Sequence, residues 1–437
     1  MKSGWGGWEK AVLVGVQLPE STVELSTSLD ELQELAAGAE VVTVGRLTQR
    51  LDAPHPRHYL GKGKLEDLRR LCQETGADMV IFDDELRPHV QQELERDLGL
   101  KVIDRTLVIL DVFARRARTH EGRVQVELAQ HQYLLPRLVG KGTQLSRLGG
   151  GIGTRGPGET KLEFDRRRIR QRIARLEREI EAIRGQRQVQ RSSRRVKELP
   201  LVALVGYTNV GKSTLLNRLT GSAVEVADKL FATLDPTTRR LELPSGQEVL
   251  TSDTVGFIAK LPTTLVAAFR ATLEELAEAD LLLHVVDITD PNVEKCNRVV
   301  GEILADLGLG DKPVITVLNK ADRLVQEEPH NGADPLASLR PEALGMDPVP
   351  GTVLVSAERG WGIEDLKLLI EETLNRQAPR VEVRIPYDAS DLVDLLRRKG
   401  VVESEEHTPE GTVIRGRLPI RYAAHFERYS TRRARAK

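Results

Sequence analysis

The stretch LVALVGYTNVGKSTLLNRL, residues 201–219, restricts the possible folds more than any other part of the chain. Its apolar run, Leu201 to Val205, leads straight into Gly206-x-x-x-x-Gly211-Lys212-Ser213, and a leucine-rich helical pattern follows. Strand, glycine loop and helix in that order form the context a phosphate-binding loop requires, and they imply a buried parallel strand. Glycine lets successive backbone amides converge on a β-phosphate at the helix N-terminus. Lys212 would reach the β and γ oxygens, and Ser213 would offer a hydroxyl to Mg²⁺. The candidate phosphate contacts are Gly206, Tyr207, Thr208, Asn209, Val210, Gly211, Lys212, Ser213 and Thr214.

A phosphate cradle does not choose a base. The apolar run VITVL ends in Asn319-Lys320-Ala321-Asp322, and a later run ends in Val355-Ser356-Ala357. A carboxylate at Asp322 can accept from both N1–H and the N2 amine of guanine. Adenine would leave it unpaired, and a site of that kind discriminates by roughly 10⁴. Asp253-Thr254-Val255-Gly256 follows the run VLTS: Asp253 would hold Mg²⁺ through water, and the Gly256 amide would meet the γ-phosphate. Between the two lies the polar segment DKLFATLDPTTRR, which has the position of a first switch loop and contributes Phe231, Ala232, Thr233, Leu234 and Asp235. Thr233 is the preferred second Mg²⁺ hydroxyl, with Thr237 and Thr238 as alternatives. The candidate catalytic groups are Lys212, Thr233 and Gly256, and the candidate metal ligands are Ser213, Thr233 and Asp253. Phe257 stands where a water-orienting glutamine would be useful, so unaided hydrolysis is expected to be slow. Asn209 resembles the asparagine of GTPases that take K⁺ in place of an arginine finger.

Upstream, from residue 11 to about 120, short apolar runs alternate with helical patterns, which predicts β-α-β units and a small parallel sheet over 1–120. The fragment YLGKGKLEDL reads as a turn and helix start in preference to an anion site. Val124, Leu128, His131, Leu135 and Leu138 then recur at steps of four and three residues, as do Leu162, Ile169, Ile173, Leu176, Ile180 and Ile183 apart from one longer step. Two such stripes predict an antiparallel helical hairpin within 121–197.

The expected tip, 139–161, holds eight glycines, four basic residues and one acid, Glu159, so it cannot order on apolar contacts of its own. Thr160 and Glu163 read as a capping box for a returning helix of about Asp165–Arg187, with 188–200 as a linker. Six arginines lie between Asp165 and Glu177. The whole chain carries 64 basic and 65 acidic residues, so this positive charge is concentrated rather than general. A glycine-rich basic loop on a basic rod suits RNA phosphate. Candidate RNA contacts are Lys141, Arg147, Arg155, Lys161, Arg166, Arg167, Arg168 and Arg170.

The expected nucleotide domain spans 198–376, with a polar insertion at 325–351, and residues 377–437 predict a small α+β unit without recognisable chemistry. The expected fold class is therefore α/β: a P-loop domain with a mostly parallel sheet, preceded by a small α/β domain with a long helical hairpin and followed by the small α+β domain. Cys72 and Cys296 lack metal-ligand spacing, no secretory leader is visible, and no run is long enough to span a bilayer, so a cytoplasmic protein is expected.

Taken together, LGGGIGTRGPGETKLEFDRR, GYTNVGKST, FATLDPTTR, DTVGFI and NKAD resemble the HflX family of ribosome-associated GTPases nearly end to end, and the first of these is the most specific. The resemblance implies hydrolysis of GTP to GDP and phosphate with Mg²⁺, with some ATP turnover in certain members. It also implies binding to the large ribosomal subunit and its rRNA, a tip directed toward the peptidyl-transferase region, and splitting or rescue of stalled ribosomes under stress. A monomer is expected. Two other readings stay open: an NTP-driven enzyme remodelling free rRNA, and a switch whose hairpin docks a protein helix. Arginine density disfavours the second, because protein interfaces deplete charge at their centre.

Overall fold

The computed structural model describes residues 8–19, 24–138, 157–195, 199–221, 231, 237–260, 276–325, 334–340, 349–377, 380–418, 422 and 425–431. They group into two compact units. One comprises 1–187 with 227–235 and 255–273; the other comprises 188–226, 236–254 and 274–437.

In the first unit, β1 (Glu9–Gln17), β2 (Val41–Arg50), β3 (Met79–Phe82) and β4 (Lys101–Asp104) form a wholly parallel sheet of order β2-β1-β3-β4. Between them run α1 (Leu25–Gly38), α2 (Lys62–Thr75) and α3 (Pro88–Leu98), and α4 (Arg105–Arg116) follows. Residues such as Val12, Val14, Val80 and Val102 are continuously apolar because both faces of a parallel sheet are covered. Gly76 and Gly99 end α2 and α3 in the left-handed conformation that closes a helix without a Cβ penalty. Gly61 begins α2, and its amide donates to the Gln49 side chain at 3.1 Å, so the Gly-Lys-Gly fragment is a helix start as the sequence suggests.

At the carboxyl edge of this sheet Asp83 is fully buried. It accepts from Ser28 Oγ at 2.6 Å and from the Arg105 guanidinium at 2.9 Å, and it is also paired with Lys260, which reaches Asp84 at 2.7 Å. Burial alone would raise the Asp83 carboxyl, but the Arg105 and Lys260 charges outweigh it and hold the pKa below its ordinary value.

Two long helices follow, α5 (His120–Arg137) and α6 (Pro157–Arg195). Val124 and Leu128 of α5 pack against Ile173, Leu176 and Ile180 of α6, part of the apolar seam that the stripes predict; Leu135, Leu138, Ile169 and Ile183 are half-buried and outside that cluster. Arg172 clasps both oxygens of Glu127, at 2.6 and 2.7 Å, and so fixes the pairing. His131 is a correction to the stripe: it is half-buried beside Glu127, 3.4 Å away, and is absent from the seam cluster. The helix start is a second correction. α6 begins at Pro157, whose fixed φ suits a first turn, so Thr160 is a helical residue and not a cap. The same helix continues through Arg195 over most of the expected linker. Its 39 residues extend about 58 Å at the standard rise.

Asp104 ties down the C-terminal end of α5, the end that leads toward the expected tip. Its carboxylate accepts from Leu107 N at 3.0 Å, capping α4, from Leu86 N at 3.1 Å, from Tyr133 Oη at 2.8 Å and from Arg137 at 3.0 Å. Arg137 also stacks 3.4 Å over the Tyr133 ring.

In the second unit a six-stranded sheet has the order β10-β9-β8-β5-β7-β6. Its strands are β5 (Leu201–Gly206), β6 (Thr237–Glu242), β7 (Glu248–Asp253), β8 (Leu281–Asp287), β9 (Val314–Asn319) and β10 (Thr352–Leu354), and only β6 is antiparallel to its neighbour. The accompanying helices α7 (Lys212–Thr220), α8 (Val293–Asp306) and α9 (Ile363–Gln377) bury residues such as Leu215, Val300 and Leu366. The chain then forms β11 (Arg380–Ile385), α10 (Ser390–Lys399), β12 (Val401–Thr408) and β13 (Gly411–Arg417), a three-stranded antiparallel sheet around Val383, Ile414 and Phe426.

Removing the Asp83 carboxylate would take from the buried Arg105 guanidinium one of its charged partners. Asp83→Ala is expected to destabilise the first unit by about 3 kcal/mol, seen as faster hydrogen exchange of the β3 amides. Because the folded pKa is depressed, this contribution is complete above the unfolded value near ~3.9 and is lost as pH falls through and below it.

Candidate active site

The four strands β5, β7, β8 and β9 all end on one edge of the six-stranded sheet, and their loops carry the predicted motifs. β5 runs into the glycine loop with Gly206 at φ 151°, Asn209 at 62° and Gly211 at 91°. A Cβ on Gly206 would strike the Val285 carbonyl, and one on Gly211 would fall on the Asn319 side-chain amide. Lys212 opens α7 and is buried, its Nζ donating to the carbonyls of Gly206 at 3.1 Å and Tyr207 at 2.6 Å. Burial pushes its pKa down to about 8, with only partial opposition from Asp253. His284, half-buried on β8, is pushed down to about 4 by burial and then by the Lys212 charge, so it is neutral at physiological pH.

Ser213 Oγ donates to Asp253 Oδ2 at 2.6 Å, and Thr254 Oγ1 ties β7 to β5 by donating to Leu204 O at 2.6 Å. A hydroxyl and a carboxylate side by side beside the phosphate loop are the hard oxygen donors that Mg²⁺ takes, and the pair fits that ion. Ser213 would bind it directly and Asp253 through water; the ion supplies charge neutralisation on the phosphates.

The base-reading loops are tied to the phosphate loop. Asn319 Nδ2 donates to Val210 O at 2.8 Å, and Asn319 Oδ1 accepts from Ala357 N at 3.0 Å. Ser356 Oγ donates to Asp322 Oδ1 at 2.6 Å, fixing the carboxylate that would face guanine. Lys320 Nζ donates to Asn209 O at 2.8 Å and pairs with Asp287 Oδ2 at 2.7 Å.

The structure thus brings together residues 206–214, Asp253, 319–322 and 355–357. Thr254 is buried, as are Val255, Gly256 and Phe257 beyond it. Phe231 is buried with its ring 4.4 Å from that of Phe113, both in the first unit. Ala232, Thr233, Leu234 and Asp235 lie outside the described residues, and Thr237 and Thr238 begin β6. Of the basic residues, Arg167, Arg168 and Arg170 are exposed on α6 and Arg166 is half-buried. The Lys161 side chain and residues Lys141, Arg147 and Arg155 lie outside the described residues.

Sequence reasoning missed three contributors. Arg218 of α7 donates to the carbonyls of Ala357, at 3.1 Å, and of Glu358. Asp287 holds Lys320, and His284 lies close enough to feel the Lys212 charge. A charged residue ending the apolar run LLLHVVD was the available signal for Asp287; Arg218 offered none.

An Asn-Lys-x-Asp loop whose aspartate is held by Ser356, on the same sheet edge as a buried phosphate-loop lysine, defines the class: this is a P-loop GTP hydrolase. Family models cover most of the chain: one described as GTP-binding GTPase N-terminal matches residues 26–114, GTP-binding GTPase Middle Region matches 116–194, and 50S ribosome-binding GTPase matches 201–320. GTPase HflX of Caldanaerobacter subterraneus subsp. tengcongensis is 47% identical over 94% of this chain and 91% of its own. GTPase HflX of Escherichia coli is 41% identical over 94% of each. A solved GTP-binding protein from Sulfolobus solfataricus in complex with GDP aligns with 84% of this chain and 99% of its own at 23% identity, TM-score 0.42. The chain belongs to the HflX family of GTPases.

With the Lys212 pKa at about 8 before nucleotide binds, phosphate should raise it, so binding takes up a proton. GTP affinity is expected to fall as pH rises above about 8, approaching tenfold per unit. Calorimetry at pH 8 in buffers of different ionisation enthalpy checks this; equal binding heats in all buffers would contradict it.

Proposed function

We propose that this GTPase binds the large ribosomal subunit and couples GTP binding and hydrolysis to splitting or rescue of stalled ribosomes, a cytoplasmic role under stress. The observation that carries the reading is the hairpin. Arg167, Arg168, Arg170 and Arg175 are exposed along α6, which is braced by Glu127–Arg172 against α5, itself tied to Asp104 through Tyr133 and Arg137. An arginine ridge on a rigid rod presents phosphate-sized contacts at fixed spacing, and the sequence at its end is glycine-rich and short of bulky side chains. The match of residues 201–320 to a model described as 50S ribosome-binding GTPase supports the same partner.

In this reading Ser213, Asp253 and Thr233 hold Mg²⁺, and loss of the γ-phosphate releases the segments around Thr233 and Gly256, the order–disorder change by which GTPases signal. Lys141, Arg147, Arg155, Lys161 and Arg166 extend the rRNA contacts toward the tip, and the protein acts as a monomer. Asn209, exposed in the phosphate loop, would help place an activating K⁺. Turnover should then be higher in potassium than in sodium salts, and equal rates would remove the K⁺ proposal alone.

The main test compares GTP hydrolysis with and without purified large subunits, for the intact protein and for one with residues 140–156 replaced by a short Gly-Ser linker. Subunits should raise turnover of the intact protein only, with basal hydrolysis alike in both. No stimulation of either would overturn the ribosome reading. Stimulation by free rRNA with ATP as substrate would favour the remodelling enzyme instead.

A further inference from the structure

We propose that Asp287 is a positioning residue for the GTPase site, acting through Lys320 to hold the phosphate loop at Asn209. Asp287 ends β8 directly opposite Asn319, the last residue of β9. Its two oxygens have separate duties. Oδ1 accepts from Thr289 N at 3.0 Å and from Thr289 Oγ1 at 2.6 Å, which orients the carboxylate. Oδ2 meets Lys320 Nζ at 2.7 Å, and the same Nζ donates to Asn209 O at 2.8 Å. The result is a continuous line, Thr289 to Asp287 to Lys320 to Asn209, across three loops of the second unit.

The target of that line is backbone in a conformation that needs support. Lys320 at φ 64° and Asn209 at φ 62° are both non-glycine residues in the left-handed region, and such residues persist where their surroundings over-determine them. Lysine alone is a flexible point charge on a four-carbon stem. With the Asp287 and Lys320 side chains only 13% and 19% exposed, the ion pair restricts the lysine to one place, from which it fixes the Asn209 carbonyl. The amides on either side of Asn209 belong to the loop that would wrap the β-phosphate, so the line bears on nucleotide retention.

A merely local role is the alternative: the Asp287–Thr289 turn could serve only to start the segment before α8. Asp287→Asn separates the two, since its carbonyl still accepts from Thr289 while the charge facing Lys320 is gone. A fluorescent GDP analogue should leave Asp287→Asn about tenfold faster than the unaltered protein, the scale of one charge-assisted hydrogen bond. KM for GTP should rise more than kcat falls. In a Lys320→Met background the same substitution should add nothing. Unchanged release from Asp287→Asn, or an equal further loss in the Lys320→Met background, would overturn the proposal. If Asp287→Asn does not fold, Asp287→Ser, which keeps an acceptor for the Thr289 amide, takes its place in the same cycle: faster release that Lys320→Met abolishes supports the line, and unchanged release overturns it.

Discussion

The side-chain amide of Asn319 joins three loops that come from distant parts of the chain. Its nitrogen donates to Val210 O in the phosphate loop and its oxygen accepts from Ala357 N in the base loop, both within 3.0 Å. Both ends of a buried amide are satisfied, so neither loop can shift without leaving a polar group unpaired, at about 1–3 kcal/mol. The amide also occupies the place where a Cβ on Gly211 would stand, which is why that position must be glycine beyond its φ. The loop expected to take phosphate and the loops expected to read guanine are therefore one hydrogen-bonded structure.

A comparable knot holds the hairpin. Asp104 caps α4 and receives Tyr133 and Arg137 from the C-terminal end of α5, so the tip-side end of that helix is tied to the sheet edge by charge-assisted hydrogen bonds and not by apolar contact alone. The seam itself is short, five residues among those described. With so short an apolar seam the pairing rests also on polar ties, Arg172 to Glu127 and the Asp104 cluster, and the exposed arginines of α6 are left unencumbered by packing. Concentrating basic charge on a surface that does not pack is what a nucleic-acid partner requires.

Much of this was legible in the sequence because the signals are local. Apolar runs, glycine offsets and the NKAD and DTVG patterns each lie within a dozen residues, and parallel strands with both faces buried follow from them. The errors also have local causes. Thr160 and Glu163 carry a real capping pattern, but Pro157 competes as a first-turn residue and α6 starts there. His131 keeps the seam's spacing, yet Glu127 one turn earlier on the same helix offers it a charged partner. What could not be read were pairings over long separations. Arg218 reaches Ala357 across 139 residues, and Lys260 reaches Asp83 across 177, with no pattern linking either pair. Phe231 looked like part of a nucleotide-facing loop, whereas its ring is buried against Phe113.

The electrostatics of the phosphate loop follow from the same packing. Lys212 is already out of water, with two loop carbonyls as acceptors. Phosphate oxygens arriving there replace dipoles with full negative charge at a cation whose desolvation is complete, so the change in interaction is large and the reorganisation small. Neutral His284 adds no second positive charge that would repel the lysine. A single cation, held dry and aimed by backbone, responds to the number of phosphate charges in front of it.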